Sequence, residues 1–138
     1  MSFLLDTDVI SELRKGERAD SNVLEWFSTL EDEEILLSVL TIGEIRRGIE
    51  SIRLRDRDAA AALDGWLHRL VAQYGDRILP VDQSIADEWG RFNVPDPIPV
   101  IDGLLAATAK IHGLTLATRN VRDVGRTGVR LVNPFEAR

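Results

Sequence analysis

Cysteine is absent from the 138 residues, which excludes disulfides and thiolate metal sites. No apolar run approaches the roughly 20 residues that a membrane helix needs. The first residues enter an apolar segment at once, with no basic stretch and long apolar stretch of the secretory kind. The expectation is a cytoplasmic chain without membrane association. Lysine is nearly missing too: only Lys15 and Lys110 stand among 17 basic residues, the rest being arginine. The two histidines, His68 and His112, lie far apart, and with no cysteine they argue against zinc. There is no G-x-S-x-G elbow, no G-x-x-x-x-G-K loop and no G-x-G-x-x-G turn. A serine nucleophile on a sharp turn, a P-loop and a dinucleotide fingerprint are thereby set aside.

The net charge of −6 argues against indiscriminate nucleic-acid binding. An average hides the distribution, however. Arginines gather at Arg46, Arg47, Arg53, Arg55 and Arg57, and again at Arg119, Arg122, Arg126 and Arg130. They are either solvated faces or forks for phosphate, a role to which arginine is better suited than lysine.

What is present is an ordinary globular composition, 44% hydrophobic and 29% charged, in a length that suits one domain over 1–138. Short apolar runs, FLL (3–5), ILLSV (35–39), RILPV (77–81), TLAT (115–118) and VRLVNP (129–134), read as strands. Between them the apolar residues recur at helical spacing, as in Ile42, Ile45, Ile49 and Ile52, or Ile85, Trp89 and Phe92. Further helices are expected over 9–16, 21–31, 56–75 and from Val100 to a stop at Gly113. This alternation predicts an α/β fold, a short, mostly parallel central sheet covered by helices on both faces. The proline-rich VPDPIP (94–99) is too short to be a domain linker.

In such sheets ligands bind beyond the carboxyl ends of the strands, and the polar residues that follow the strands are acidic. Asp6 and Asp8 follow the first, Glu44 the second, Asn120 and Asp123 the fourth, while Asp102 opens the helix after the proline-rich loop. Each has a plain alternative. Asp8 could cap a helix starting at Val9, Thr41 to Glu44 fits a capping box, and Asn120 to Asp123 has nearly the same form. Asp102 could complement a helix N-terminus, but Asp6 directly follows buried strand residues. Taken jointly, carboxylates from four segments at one sheet edge repel one another unless a cation holds them. An all-oxygen set suits Mg²⁺, or Mn²⁺, and such a centre suits phosphoryl chemistry, with no side-chain nucleophile required.

Four stretches, LLDTDVISEL (4–13), SVLTIGEIRRGI (38–49), DGLLAATAKIHGLTLATRNVRDV (102–124) and LVNPF (131–135), resemble the PIN-domain ribonucleases, within them the VapC-type toxins and their FitB-like branch. The resemblance implies an α/β/α sandwich and a metal-dependent endoribonuclease, the toxin of a toxin–antitoxin pair. Its catalytic acids fall on Asp6, Glu44, Asp102 and Asp123, with Asp6, Asp102 and Glu44 as metal ligands and Asp123 as a second-metal or water-holding acid. Asn120 stands where relatives often have aspartate, and Asp8 where asparagine is common. Thr7, Thr118 and Asn120 are expected to support the carboxylates, and Arg119 and Arg122 to hold RNA phosphates. Hydrolysis would leave a 5′-phosphate and a 3′-hydroxyl. The implied partners are a VapB-type antitoxin lying across the site, operator DNA through that antitoxin alone, and a second copy of the chain. Trp26, Phe27 and Trp66 are possible anchors for that dimer, with core burial the favoured role for each.

Two other readings stay open at this stage. A haloacid-dehalogenase-like phosphohydrolase would use Asp6 as nucleophile, Asp8 as general acid, Ser38 and Lys110. A catalytically inactive PIN-like binding protein would retain the antitoxin and DNA partners and is favoured by Asn120.

Overall fold

The computed structural model describes residues 1–137. In chain order the elements are β1 (Phe3–Leu5), α1 (Thr7–Leu13), α2 (Ser21–Ser28), β2 (Ile35–Ser38), α3 (Val39–Arg53) and α4 (Arg57–Tyr74). They continue with β3 (Ile78–Leu79), α5 (Gln83–Phe92), α6 (Val100–His112), β4 (Thr115–Ala117), α7 (Val121–Val124) and β5 (Leu131–Val132). The strands form one sheet in the order β3-β2-β1-β4-β5, every pairing parallel. The predicted α/β class is what is found.

Side chains alternate across a strand, and β1 divides the interior in two accordingly. Phe3 and Leu5 join Val9, Val23, Trp26, Leu37, Ile45 and Ile49 on one face, where the Phe3 and Trp26 rings meet edge to face at 5.3 Å. Leu4 points the other way, to Ile85, Leu105, Leu116 and Val124. Continuing that alternation puts Asp6 on the Leu4 side, where α6 runs. The α6 helix comes close because its inner positions are small: Gly103, Ala106, Ala107 and Ala109 are all buried. A Cβ on Gly103 would lie 3.1 Å from the Trp89 ring, so a methyl group there would require the ring to give by a few tenths of an ångström where α5 and α6 meet.

Polar residues start most of the helices. Asp20, Ser38, Asp56 and Asp82 accept backbone N–H groups at the first turns of α2, α3, α4 and α5. Gly113 ends α6 with φ 66°, the left-handed conformation that glycine takes at least cost.

The expected strand over 77–81 is shorter, because Arg77 completes a 3₁₀ turn and leaves Ile78–Leu79 to pair. The expected last strand shrinks to Leu131–Val132. Trp26 is buried, and Phe27 and Trp66 are half-buried against the same core. Among the described residues, no helix is long and apolar enough to cross a membrane.

Candidate functional site

The first βα turn holds the most buried acid of the site. Asp6 is 7% exposed and stands at the N-cap of α1. Its Oδ1 accepts the Thr7 N–H at 2.6 Å and its Oδ2 accepts the buried Thr118 hydroxyl at 2.8 Å. Its own N–H donates to the Ala117 carbonyl, locking the end of β1 to the end of β4. Both partners of the carboxylate are neutral. Burial therefore dominates, and the Asp6 carboxyl is raised from 3.8 to about 6, with the Thr118 and Thr7 hydrogen bonds opposing the rise.

The other acids are held in the same manner. Thr7 points its hydroxyl at Glu44 Oε1. Asp102, in the first turn of α6, accepts the Asn120 side-chain amide on Oδ2 at 2.6 Å. Burial raises the Asp102 carboxyl above its ordinary range, opposed by Asn120 and reinforced by the charges of Asp123 and Glu44. The same amide nitrogen of Asn120 also reaches Asp123 Oδ2 at 2.7 Å. Asn120 N–H returns to the Thr118 hydroxyl oxygen at 3.0 Å. A chain of neutral donors thus runs from Asp6 through Thr118 and Asn120 to Asp102 and Asp123.

These residues surround a cleft of about 360 Å³ lined by Asp6, Thr7, Asp8, Glu44, Asp102, Arg119 and Asn120. It lies beyond the carboxyl ends of β1 and β4, as expected for a parallel sheet. Asp123 stands behind it, exposed on α7 and joined through Asn120. Arg119 lies over the Phe135 ring, its guanidinium carbon 3.8 Å from the ring centre, and it closes one wall. Arg122 is exposed on α7 and does not line the cleft.

Three of the capping alternatives fail on geometry. Asp8 is inside α1, and the cap is Asp6. Ser38 caps α3, which leaves Thr41 buried within the helix and Glu44 in its second turn, too late for a capping box. Asn120 makes no capping bond, its amide being committed to Asp102 and Asp123. The dehalogenase-like constellation also comes apart. Lys110 pairs with Glu88 at 2.9 Å, and neither it nor Ser38 lines the cleft. His68 and His112 stand elsewhere, on α4 and at the end of α6. The support that Phe135 gives Arg119 has no signature in the sequence, where the closing NPF is legible but nothing places it beside position 119.

The donor set is all oxygen and mostly carboxylate, which suits Mg²⁺ or Mn²⁺ rather than zinc. Among the described residues, no three acidic or imidazole side chains converge ready-made on one point. That arrangement still fits Mg²⁺, which commonly takes one or two carboxylates and keeps several waters. The open cleft provides the room.

Comparison with known proteins agrees with this architecture. VapC ribonuclease Y4jK of Sinorhizobium fredii is 34% identical over 141 residues, covering 97% of this chain and 98% of that one. Toxin FitB of Neisseria gonorrhoeae is 31% identical over 138 residues, covering 96% and 98%. The crystal structure of FitAcB from Neisseria gonorrhoeae superposes with a TM-score of 0.87 at 31% identity, over 98% of this chain and 99% of that one. The structure of FitAB bound to an IR36 DNA fragment superposes at 0.86 and 30%, over 99% and 97%. Residues 3–127 match the PIN domain, and the chain belongs to the PIN-domain family.

Proposed function

We propose that this chain is a metal-dependent endoribonuclease and the toxin of a toxin–antitoxin pair. One observation carries the reading: acids from three separate segments, Asp6, Glu44 and Asp102, line a single cleft and are held by neutral donors, so their negative charge is left for a cation. The similarity to a VapC ribonuclease and to toxin FitB supports the same conclusion.

Asp6 and Asp102 would hold the cation, with Glu44 assisting. When bound, Mg²⁺ (or Mn²⁺) supplies positive charge against the phosphate oxygens and makes a neighbouring water more acidic. The chain's own residues do the rest. Thr118 and the Thr7 N–H fix the two oxygens of Asp6, the Thr7 hydroxyl fixes Glu44, and Asn120 fixes Asp102. Arg119, braced on Phe135, offers a guanidinium at the cleft wall to an RNA phosphate, and Arg122 offers a second one farther out. Asp123 acts through Asn120 rather than at the cleft surface.

An acidic cleft also suits a basic side chain of a protein inhibitor. The partner proposed is a small antitoxin of the VapB type, through which alone the pair would bind operator DNA, and the chain itself is proposed to form a homodimer.

The test is incubation of total RNA with the purified, antitoxin-free chain in Mg²⁺, in Mn²⁺ and in EDTA, beside Asp6→Asn. Discrete metal-dependent fragments with 5′-phosphate ends, absent with the variant, are expected. Fragments ending in 2′,3′-cyclic phosphate would rule out hydrolysis by water. Intact RNA from a folded, cation-binding chain would instead support the inactive binding domain, the reading that Asn120 favours.

A further inference from the structure

The amide of Asn120 has a second consequence for the cation. Its single Nδ2 donates to Asp102 Oδ2 at 2.6 Å and to Asp123 Oδ2 at 2.7 Å. An amide nitrogen carries two hydrogens, and both are used. The orientation is set by chemistry, because an oxygen at that point would face two carboxylate oxygens at contact distance. A neutral NH₂ group therefore sits between two acids, in the place where a shared cation would otherwise draw them together.

Asn120 is also anchored. Its N–H donates to Thr118 Oγ1 at 3.0 Å, and Thr118 in turn donates to Asp6 at 2.8 Å. That bond fixes the backbone of position 120 beside the hydroxyl that orients Asp6, while the side-chain amide is held by Asp102 and Asp123 themselves. Cation affinity at oxygen sites rises with the number of ligand charges. Asp102 and Asp123 offer two negative charges here, and an aspartate at position 120 would make three.

Resting on the functional reading above, we infer that this chain takes one divalent cation, and that the Asn120 side chain is the residue that excludes a second from between Asp102 and Asp123. Asn120 is then a residue that sets metal stoichiometry, and the cation held by Asp6 and Asp102 does not require a companion.

Counting bound Mn²⁺ tests this, by isothermal titration calorimetry and by electron paramagnetic resonance, on the wild type, Asn120→Asp, and Asn120→Asp combined with Asp123→Asn. The expected counts are one, two and one, with spin–spin broadening in Asn120→Asp alone. The metal-free Asn120→Asp chain should also melt below the wild type and gain more from Mn²⁺, because three carboxylates then crowd one another. If that variant does not fold without metal, it is prepared in Mn²⁺ and counted by native mass spectrometry. Two cations in the wild type, or one in Asn120→Asp with unchanged Mn²⁺ stabilisation, would overturn the inference and leave the functional reading standing. None in any variant would overturn both.

Discussion

Two groups of acids in this molecule are handled in opposite ways. On the outer surface of α3 and α4, Asp64 meets Arg46 at 2.8 Å and Arg53 at 3.3 Å, while Glu50 meets the same two arginines. The Arg46 hydrogen bond, against some desolvation, leads in holding the Asp64 carboxyl down at about 2. In the cleft, Asp6 meets a hydroxyl and a backbone N–H, and burial carries it up to about 6. Charge compensation inside the network leaves the surface acids nothing to offer a metal. Hydrogen bonding by neutral groups orients the cleft acids without discharging them. What marks a site here is the kind of donor that holds each acid, more than the presence of acids.

The sharpest way to break the comparison is Asp6→Asn. It should lower metal-dependent RNA cleavage by more than about 100-fold, since even residues that merely orient a metal ligand are worth about 10–100-fold. The same change should raise the stability of the metal-free protein at pH 7. A shift from 3.8 to about 6 corresponds to as much as about 3 kcal/mol of opposition to folding. Urea unfolding reads the stability and gel analysis of RNA the activity; loss of both together would mean that Asp6 is structural.

The pH dependence should run in opposite directions in the two regions. The native Asp6 carboxyl binds its proton more tightly than the unfolded one, so its contribution favours folding below pH 3.8 and is lost as pH rises from 3.8 to about 6. The depressed Asp64 contributes stability above 3.8 that is lost as pH falls towards about 2. Unfolding of wild type, Asp6→Asn and Asp64→Asn across pH 2.5–7.5 checks both signs. Mn²⁺ should remove the Asp6 dependence, because a bound cation favours the ionised carboxylate.

Thr118→Val sharpens the comparison at lower cost. It deletes the hydroxyl between Asp6 and the Asn120 N–H while keeping the buried shape. A loss of about 1–3 kcal/mol is expected from the unpaired buried groups, with Mn²⁺ affinity reduced roughly tenfold. The smallest effect belongs to Arg46→Ala. Exposed ion pairs contribute little and are screened by salt, so cleavage should be unchanged and any fall in Tm should shrink in high salt.

Much of the arrangement is legible in the sequence. The strands are short and apolar, and Asp6, Glu44, Asp102 and Asn120 fall just beyond strand ends or near helix starts, so a parallel α/β reading already sends them to one sheet edge. The individual roles were less legible. A cap depends on backbone dihedrals at one residue, so the sequence offers Asp8 and Thr41 as caps where the structure uses Asp6 and Ser38. Lys110 reads as an unassigned cation in sequence, yet α5 brings Glu88 to it. The support that Phe135 gives to Arg119 spans sixteen residues and the turn of β5, beyond the reach of any local pattern.

By itself the sequence determined the α/β class, through the alternation of apolar strands and amphipathic helices. It also determined the acidity of the sheet edge and the absence of thiolate chemistry. Those properties follow from residue type and spacing, which local physics reads directly. Tertiary structure alone decided which donor each acid meets. Thr118 reaches Asp6, Thr7 reaches Glu44, and one Asn120 nitrogen joins Asp102 to Asp123. Hydrogen bonds act over about 3 Å, and only the packing of β1 against β4, and of α6 and α7 over them, brings residues so distant in sequence within that range.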